Sequence, residues 1–373
     1  MVFTEFLYKK DEVTASFMVS MMFETNIEEC TFYICELYNS GFYEDVYNIL
    51  YQLYFDFYYI TNPEYLKKIN DIISIDKEKK DVTNIIYIVK WLFYSDKSIP
   101  VFLLNQHMKI YNSKQKITVF RGKTPKWLEN FNTVSHKLLR SIEKFNWKNI
   151  TYYIHISTNE QIEIMYKDTL KYLNDKKKKV LLDYSLNYEN KKHMLISLIL
   201  INYSIVIVES NVVEKFTTDY EEPVYDEIKP RNLLKTNRKF QIKSELIDAF
   251  KLERHDISRK EHMDKLLCSW EYFCKDTPIW KKRFTEYQAT FDEKINFPNE
   301  DLLENFYEKY SLEPDEQNME TLKKSHAELD DIKPKEFLSQ LLVKLHATSV
   351  TVPDSLLEFF VSFEENNKDK YLL

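Results

Sequence analysis

Apolar side chains recur along this chain at helical spacing. Ile27, Cys30, Ile34, Leu37 and Tyr38 fall at i, i+3, i+7, i+10 and i+11. Val82, Ile85, Ile86, Val89 and Phe93 repeat the pattern, as do Leu338, Leu341, Leu342 and Leu345. Each set lines one face of a helix, and that face has to be buried. Residues 51–60 and 195–208 are apolar nearly all round, which predicts central positions packed on several sides.

Polar punctuation agrees with these stripes. Asn26-Ile27-Glu28-Glu29 and Ser157-Thr158-Asn159-Glu160 have the form of capping boxes, in which a short side chain and a carboxylate satisfy free N–H groups reciprocally. Thr61-Asn62-Pro63-Glu64, Thr124-Pro125 and Asn299-Glu300-Asp301 read as further helix starts. Residues 32–50 align without gaps to residues 86–104, and both halves read as helix, polar break, helix. Residues 136–154 keep the same rhythm. Such serial helix–turn–helix units predict an all-α fold: an irregular, α-solenoid-like helical array.

The pattern lapses over residues 211–243, where charges gather and Pro223 and Pro230 stop any helix. The expected organisation is therefore an N-terminal helical array over 1–210, a polar acidic linker or exposed loop over 211–243, and a smaller helical C-terminal region over 244–373. In that last region Leu246, Ile247, Phe250, Leu266 and Leu267 are core candidates. Residues 288–297 alternate Ala289, Phe291, then Ile295, Phe297, which predicts one short hairpin and the only β structure. Short helices are expected to follow from Asn299, Glu313, Lys333 and Pro353.

Composition narrows the function. The chain has two glycines, Gly41 and Gly122, in 373 residues, against about 26 at average usage. Glycine supplies the positive φ and close backbone approach that phosphate-cradling loops need. No G-x-x-x-x-G-K-[ST], G-x-G-x-x-G or G-x-S-x-G occurs. The net charge of −7 opposes non-specific nucleic-acid binding over the surface as a whole but leaves room for a local basic strip. The longest uncharged stretch, residues 193–208, is too short for a spanning helix, and no secretory signal is visible at the start. Cys30, Cys35, Cys268 and Cys274 lack C-x-x-C spacing and read as reduced core thiols of an intracellular protein.

Candidate chemistry is sparse. His255 and His262 stand seven apart, where a helical zinc pair needs four. The Arg121-Gly122-Lys123 turn precedes a helix start, but a single Gly there reads as an inter-helix turn. Lys176, Lys177, Lys178 and Lys179, with Lys167, Lys171, Lys191 and Lys192 and the aromatics Tyr172 and Tyr184, form a candidate strip for phosphate contact and base stacking. Tyr220 and Tyr225 lie in an acidic, proline-broken segment, and Tyr225 with Ile228 matches a phosphotyrosine-x-x-Ile docking pattern.

Thr277-Pro278-Ile279-Trp280-Lys281-Lys282-Arg283-Phe284, then Phe297-Pro298, Phe306-Tyr307-Glu308-Lys309-Tyr310 and Leu312-Glu313-Pro314-Asp315-Glu316-Gln317, resemble a segment of helical proteins encoded by large nucleocytoplasmic DNA viruses. The resemblance implies a cytoplasmic, virus-factory or virion setting. That family brings no assigned activity, so it carries no site residues to this chain. The expectation is a non-catalytic scaffold or assembly protein, viral accessory or virion-associated, binding other proteins through an aromatic-rich helical surface. The alternative is a nucleic-acid-engaging factor in viral replication or transcription that uses Lys176–Lys179. No catalytic, cofactor-binding or metal-ligating residue is assigned.

Overall fold

The computed structural model describes residues 2–23, 26–109, 117–175, 191–203, 205–206, 240–242, 259–292, 294–310, 350–351, 354–356 and 358–359. The fold is all-α. The helices are α1 (Lys10–Phe23), α2 (Ile27–Asn39), α3 (Tyr43–Phe57), α4 (Tyr65–Lys79), α5 (Val82–Phe93), α6 (Pro100–Lys109), α7 (His136–Glu143), α8 (Trp147–Ile156), α9 (Asn159–Asp175), α10 (Lys191–Tyr203), α11 (Arg259–Cys274), α12 (Pro278–Glu286) and α13 (Glu300–Tyr310). A short 3₁₀ helix spans Lys126–Asn130. The expected hairpin is present: β2 (Thr290–Phe291) pairs antiparallel with β3 (Ile295–Asn296). A second ladder was not foreseen. β1 (Ile205–Val206) pairs antiparallel with β4 (Val350–Thr351), so the apolar run over 195–208 holds helix as far as Tyr203 and a strand at 205–206. The β-branched Ile-Val sequence suits a strand.

The chain divides into two compact units that do not follow chain order. The first takes Met1–Tyr47, Asp76–Phe93 and Glu214–Phe337, and the second takes Asn48–Ile75, Tyr94–Val213 and Leu338–Leu373. Most of the expected linker over 211–243 lies outside the described residues. Its last part does not behave as free linker: Ile242 is buried, the Tyr33 hydroxyl donates to the Gln241 carbonyl, and Phe240 packs edge-on to Phe32.

In the first unit α2 packs on α1 and α5. Asn26 caps α2, its side chain accepting the Glu28 N–H at 2.9 Å. Val82, Ile85, Ile86 and Val89 bury the stripe of α5 as expected. A carboxylate organises this packing. Asp76, at the end of α4, is completely buried and accepts from the Tyr38 hydroxyl at 3.0 Å, the Tyr47 hydroxyl at 2.6 Å and the Asp81 N–H at 3.1 Å. A buried charge is tolerated only when donors surround it in this way. Asp81 then caps α5 through the Thr83 N–H at 3.0 Å.

In the second unit α6, α7, α8, α9 and α10 share one apolar core, with α10 against α9 and α6, and α7 against α8. Trp147 is buried there and its indole N–H donates to Ser355 at 3.1 Å. The cap of α9 sits one residue later than the sequence suggested. Thr158 and Gln161 exchange the reciprocal bonds, at 3.0 and 3.4 Å, not Ser157 and Glu160. Buried Asp56, Asn105, His193 and Ser197 lie in the same unit. The Asn105 amide donates to Asp56, and the Ser197 hydroxyl is committed to the carbonyls of His193 and Phe55 at 2.8 and 3.1 Å. This serine is therefore a packing group and not an activated nucleophile.

Candidate functional site

Tyr220, Tyr225 and Ile228, and Lys176, Lys177, Lys178 and Lys179, lie outside the described residues, as do His255 and Tyr184. Three flanking residues of the lysine strip, Lys171, Tyr172 and Lys192, are described and engaged within the fold. Tyr172 is buried against Trp127, with ring centroids 5.2 Å apart, and burial pushes its phenol up to about 12. It is a core residue and offers no face to a base. Lys171 donates to the Asn130 carbonyl at 3.2 Å and Lys192 to the His155 carbonyl at 2.9 Å. The Gly122 turn is exposed, with positive φ and open space around it. One cysteine expectation is corrected: Cys30, Cys35 and Cys274 are buried, but Cys268 is exposed. Leu267, Trp270 and Cys274 pack into the aromatic core, whereas Cys268, next to a kink at Ser269, does not.

The described residues gather a surface site elsewhere, at α12, the hairpin and α13. Its foundation is an aromatic core of Trp270, Trp280, Phe284, Phe306 and Tyr310, closed by Phe3 and Leu7 from the start of the chain. Trp270 meets Trp280 edge-on at 4.7 Å, and Phe284 meets Phe306 at 5.4 Å. The N-terminal segment is tied down by polar contacts as well. The Thr277 hydroxyl donates to the Phe3 carbonyl, the Trp280 indole N–H donates to the Glu5 carbonyl at 3.1 Å, and Arg283 pairs with Glu5.

Local sequence fixes the two helices over this core. Pro278 occupies the first turn of α12, where a missing N–H costs nothing. The helix ends at a Schellman turn: the Gln288 N–H reaches the Thr285 carbonyl at 3.0 Å and the Ala289 N–H the Phe284 carbonyl at 2.9 Å. Gln288 takes the positive φ that glycine usually supplies. The hairpin drops Phe291 onto Phe284 at 4.9 Å and Phe297 onto Phe306 at 5.1 Å. Asn299 starts α13 by accepting the Leu302 N–H at 2.9 Å.

Between the end of α12 and α13 lies an open groove of about 520 Å³, lined by Glu286, Tyr287, Leu302, Asn305, Glu308 and Lys309. Tyr287 forms one wall, its ring edge-on to Phe306 at 5.4 Å. Lys309 spans the groove: its ammonium lies 5.6 Å above the Tyr287 ring, 4.9 Å above the Tyr310 ring and 3.5 Å from Glu286. The Tyr310 hydroxyl, then the neighbouring aromatics and Glu286, raise its pKa, so it stays charged at any physiological pH. On the other side of α13 from the groove, Tyr307 donates to Glu271 at 2.7 Å, and burial raises the Glu271 carboxyl. Of these lining residues only Glu308 and Lys309 fall in a motif singled out from the sequence, and that motif pointed to no groove. The only trace is the acidic outer face of the segment EDLLENFYEKY.

Among the described residues no group of three His, Cys, Asp or Glu side chains is placed to hold a metal ion. Among them also, no helix is long and apolar enough to cross a membrane. No family model matches the chain, and no curated protein or solved structure matches it either.

Proposed function

We propose that the protein is a non-catalytic scaffold that binds a protein partner through the groove between α12 and α13. The observation that carries this reading is the groove itself: an open trough in which Tyr287 and Leu302 are surrounded by Glu286, Asn305, Glu308 and Lys309. Its two sides are held by one continuous aromatic core. Tyrosine anchors with polar rims are the composition that concentrates binding energy at protein interfaces. The residues that resemble large DNA-virus proteins span both helices, which favours a viral accessory or virion-associated setting for the same surface.

Purification of the full chain from its native cells tests this. A stoichiometric partner should be retained through moderate salt and lost when Asn305→Trp fills the groove. A partner retained equally by Asn305→Trp overturns the reading.

A further inference from the structure

The exposed side of α13 is not evenly charged. Glu300, Asp301, Glu304 and Glu308 are all exposed. At helical spacing they fall within an arc of about 100°. Next round the helix come Asn305, Lys309 and Leu302, which line the groove. Phe306 and Tyr310 follow on the buried face. A carboxylate stripe therefore runs along one bank of the groove. Lys309, the cation inside it, already faces Glu286 at 3.5 Å. The opposite bank is the Tyr287 ring.

We propose that the occupant of this groove is a basic amphipathic helix of a protein partner, an inference that rests on the binding role proposed above. Its apolar side chains enter between Tyr287 and Leu302, and its lysines or arginines lie along Glu308, Glu304, Asp301 and Glu300. This is helix-in-groove recognition, with anchors at i, i+3 or i+4 and i+7 giving affinity. The carboxylate stripe gives orientation and speeds encounter. An acidic partner helix meets four like charges along its whole length and is rejected.

Two synthetic peptides test this on the full chain by fluorescence anisotropy at low salt. One places leucines at i, i+3, i+4 and i+7 with lysines elsewhere, and the other carries Glu in place of every Lys. The lysine peptide should bind one-to-one, and at least about tenfold more weakly to the Glu304→Lys, Glu308→Lys double variant. Binding should weaken further as salt is raised, and the glutamate peptide should not bind. Both substitutions are at exposed positions, and circular dichroism checks that the helices persist. Equal binding by the double variant, tighter binding of the glutamate peptide, or no binding of the lysine peptide overturns the charge assignment. Asn305→Trp separates the two levels of the argument. If it leaves lysine-peptide binding unchanged, the groove itself is not the site; if it abolishes binding that charge reversal leaves intact, the groove stands and the basic partner falls.

Discussion

Alanine at position 41 should cost far more stability than alanine at position 122, although both glycines have positive φ, +88° and +100°. The backbone term is common to both, because an L residue in this region costs about 1–2 kcal/mol. The surroundings differ. A Cβ on Gly41 would lie 2.7 Å from Pro278 Cβ and 3.3 Å from its Cγ, where carbon atoms normally rest about 3.5–4.0 Å apart. Pro278 cannot easily retreat: the next N–H, that of Ile279, donates to the Ser40 carbonyl at 3.2 Å beside Gly41. Forcing atoms into such a contact costs about 1–3 kcal/mol. A Cβ on Gly122 meets nothing within 4 Å. Gly41→Ala should therefore destabilise by about 2–5 kcal/mol and Gly122→Ala by about 1–2 kcal/mol. Urea unfolding followed by circular dichroism and tryptophan fluorescence measures both. Adding Pro278→Gly, which deletes the opposing Cβ, should return most of the difference as a coupling energy. Equal costs for the two alanines, or no coupling to position 278, would refute the argument that α12 is seated on this turn.

The same shortage of glycine makes a second prediction. Gln288 holds φ +55° at the C-terminal turn of α12, so Gln288→Gly should stabilise by about 0.5–1 kcal/mol in the same urea assay. Asp76→Ala strands the Tyr38 and Tyr47 hydroxyls and the Asp81 N–H, and should cost about 3 kcal/mol or more; a loss below about 1 kcal/mol contradicts the organising role given to this carboxylate. Burial, with Asp76 second for Tyr38 and Tyr47, raises the phenol pKa values of Tyr33, Tyr38, Tyr47 and Tyr51. Unfolded tyrosine ionises near about 10, so above that pH the unfolded chain holds fewer protons than the native one and stability falls as pH rises. Phenolate absorbance should lag in the folded protein behind the urea-unfolded chain, and superimposable titrations would exclude these raised values.

Legibility in the sequence followed the kind of burial each element has. α5 was readable because one face is buried and the other wetter, so its apolar residues carry the helical period. The hairpin was readable because Phe291 and Ile295 alternate with polar neighbours above the aromatic core. α1 left no such signal: Glu12 to Met22 are buried all round, Thr14, Ser16 and Ser20 included, so apolar and polar residues carry no contrast. Its hydroxyls are satisfied locally, Ser16 by the Glu12 carbonyl at 2.7 Å. The β1–β4 ladder joins residues 205–206 to 350–351, a pairing that local patterning cannot announce. The division into two units was equally hidden, because α3 and α4 each contribute residues to both. The groove was missed for a related reason. Glu286 and Tyr287 at the end of one helix and Asn305 and Lys309 on another are ordinary residues, and only the aromatic packing between those helices turns them into one surface.

Site-specific photo-crosslinking in the native cell would reveal whether a protein partner occupies the groove. A benzophenone amino acid at Asn305, on the groove, should give one discrete protein adduct that Glu304→Lys with Glu308→Lys removes. The same group at exposed Ile156 should give none of that adduct. Equal adduct yields from positions 305 and 156, or an adduct at 305 indifferent to charge reversal, would contradict the account.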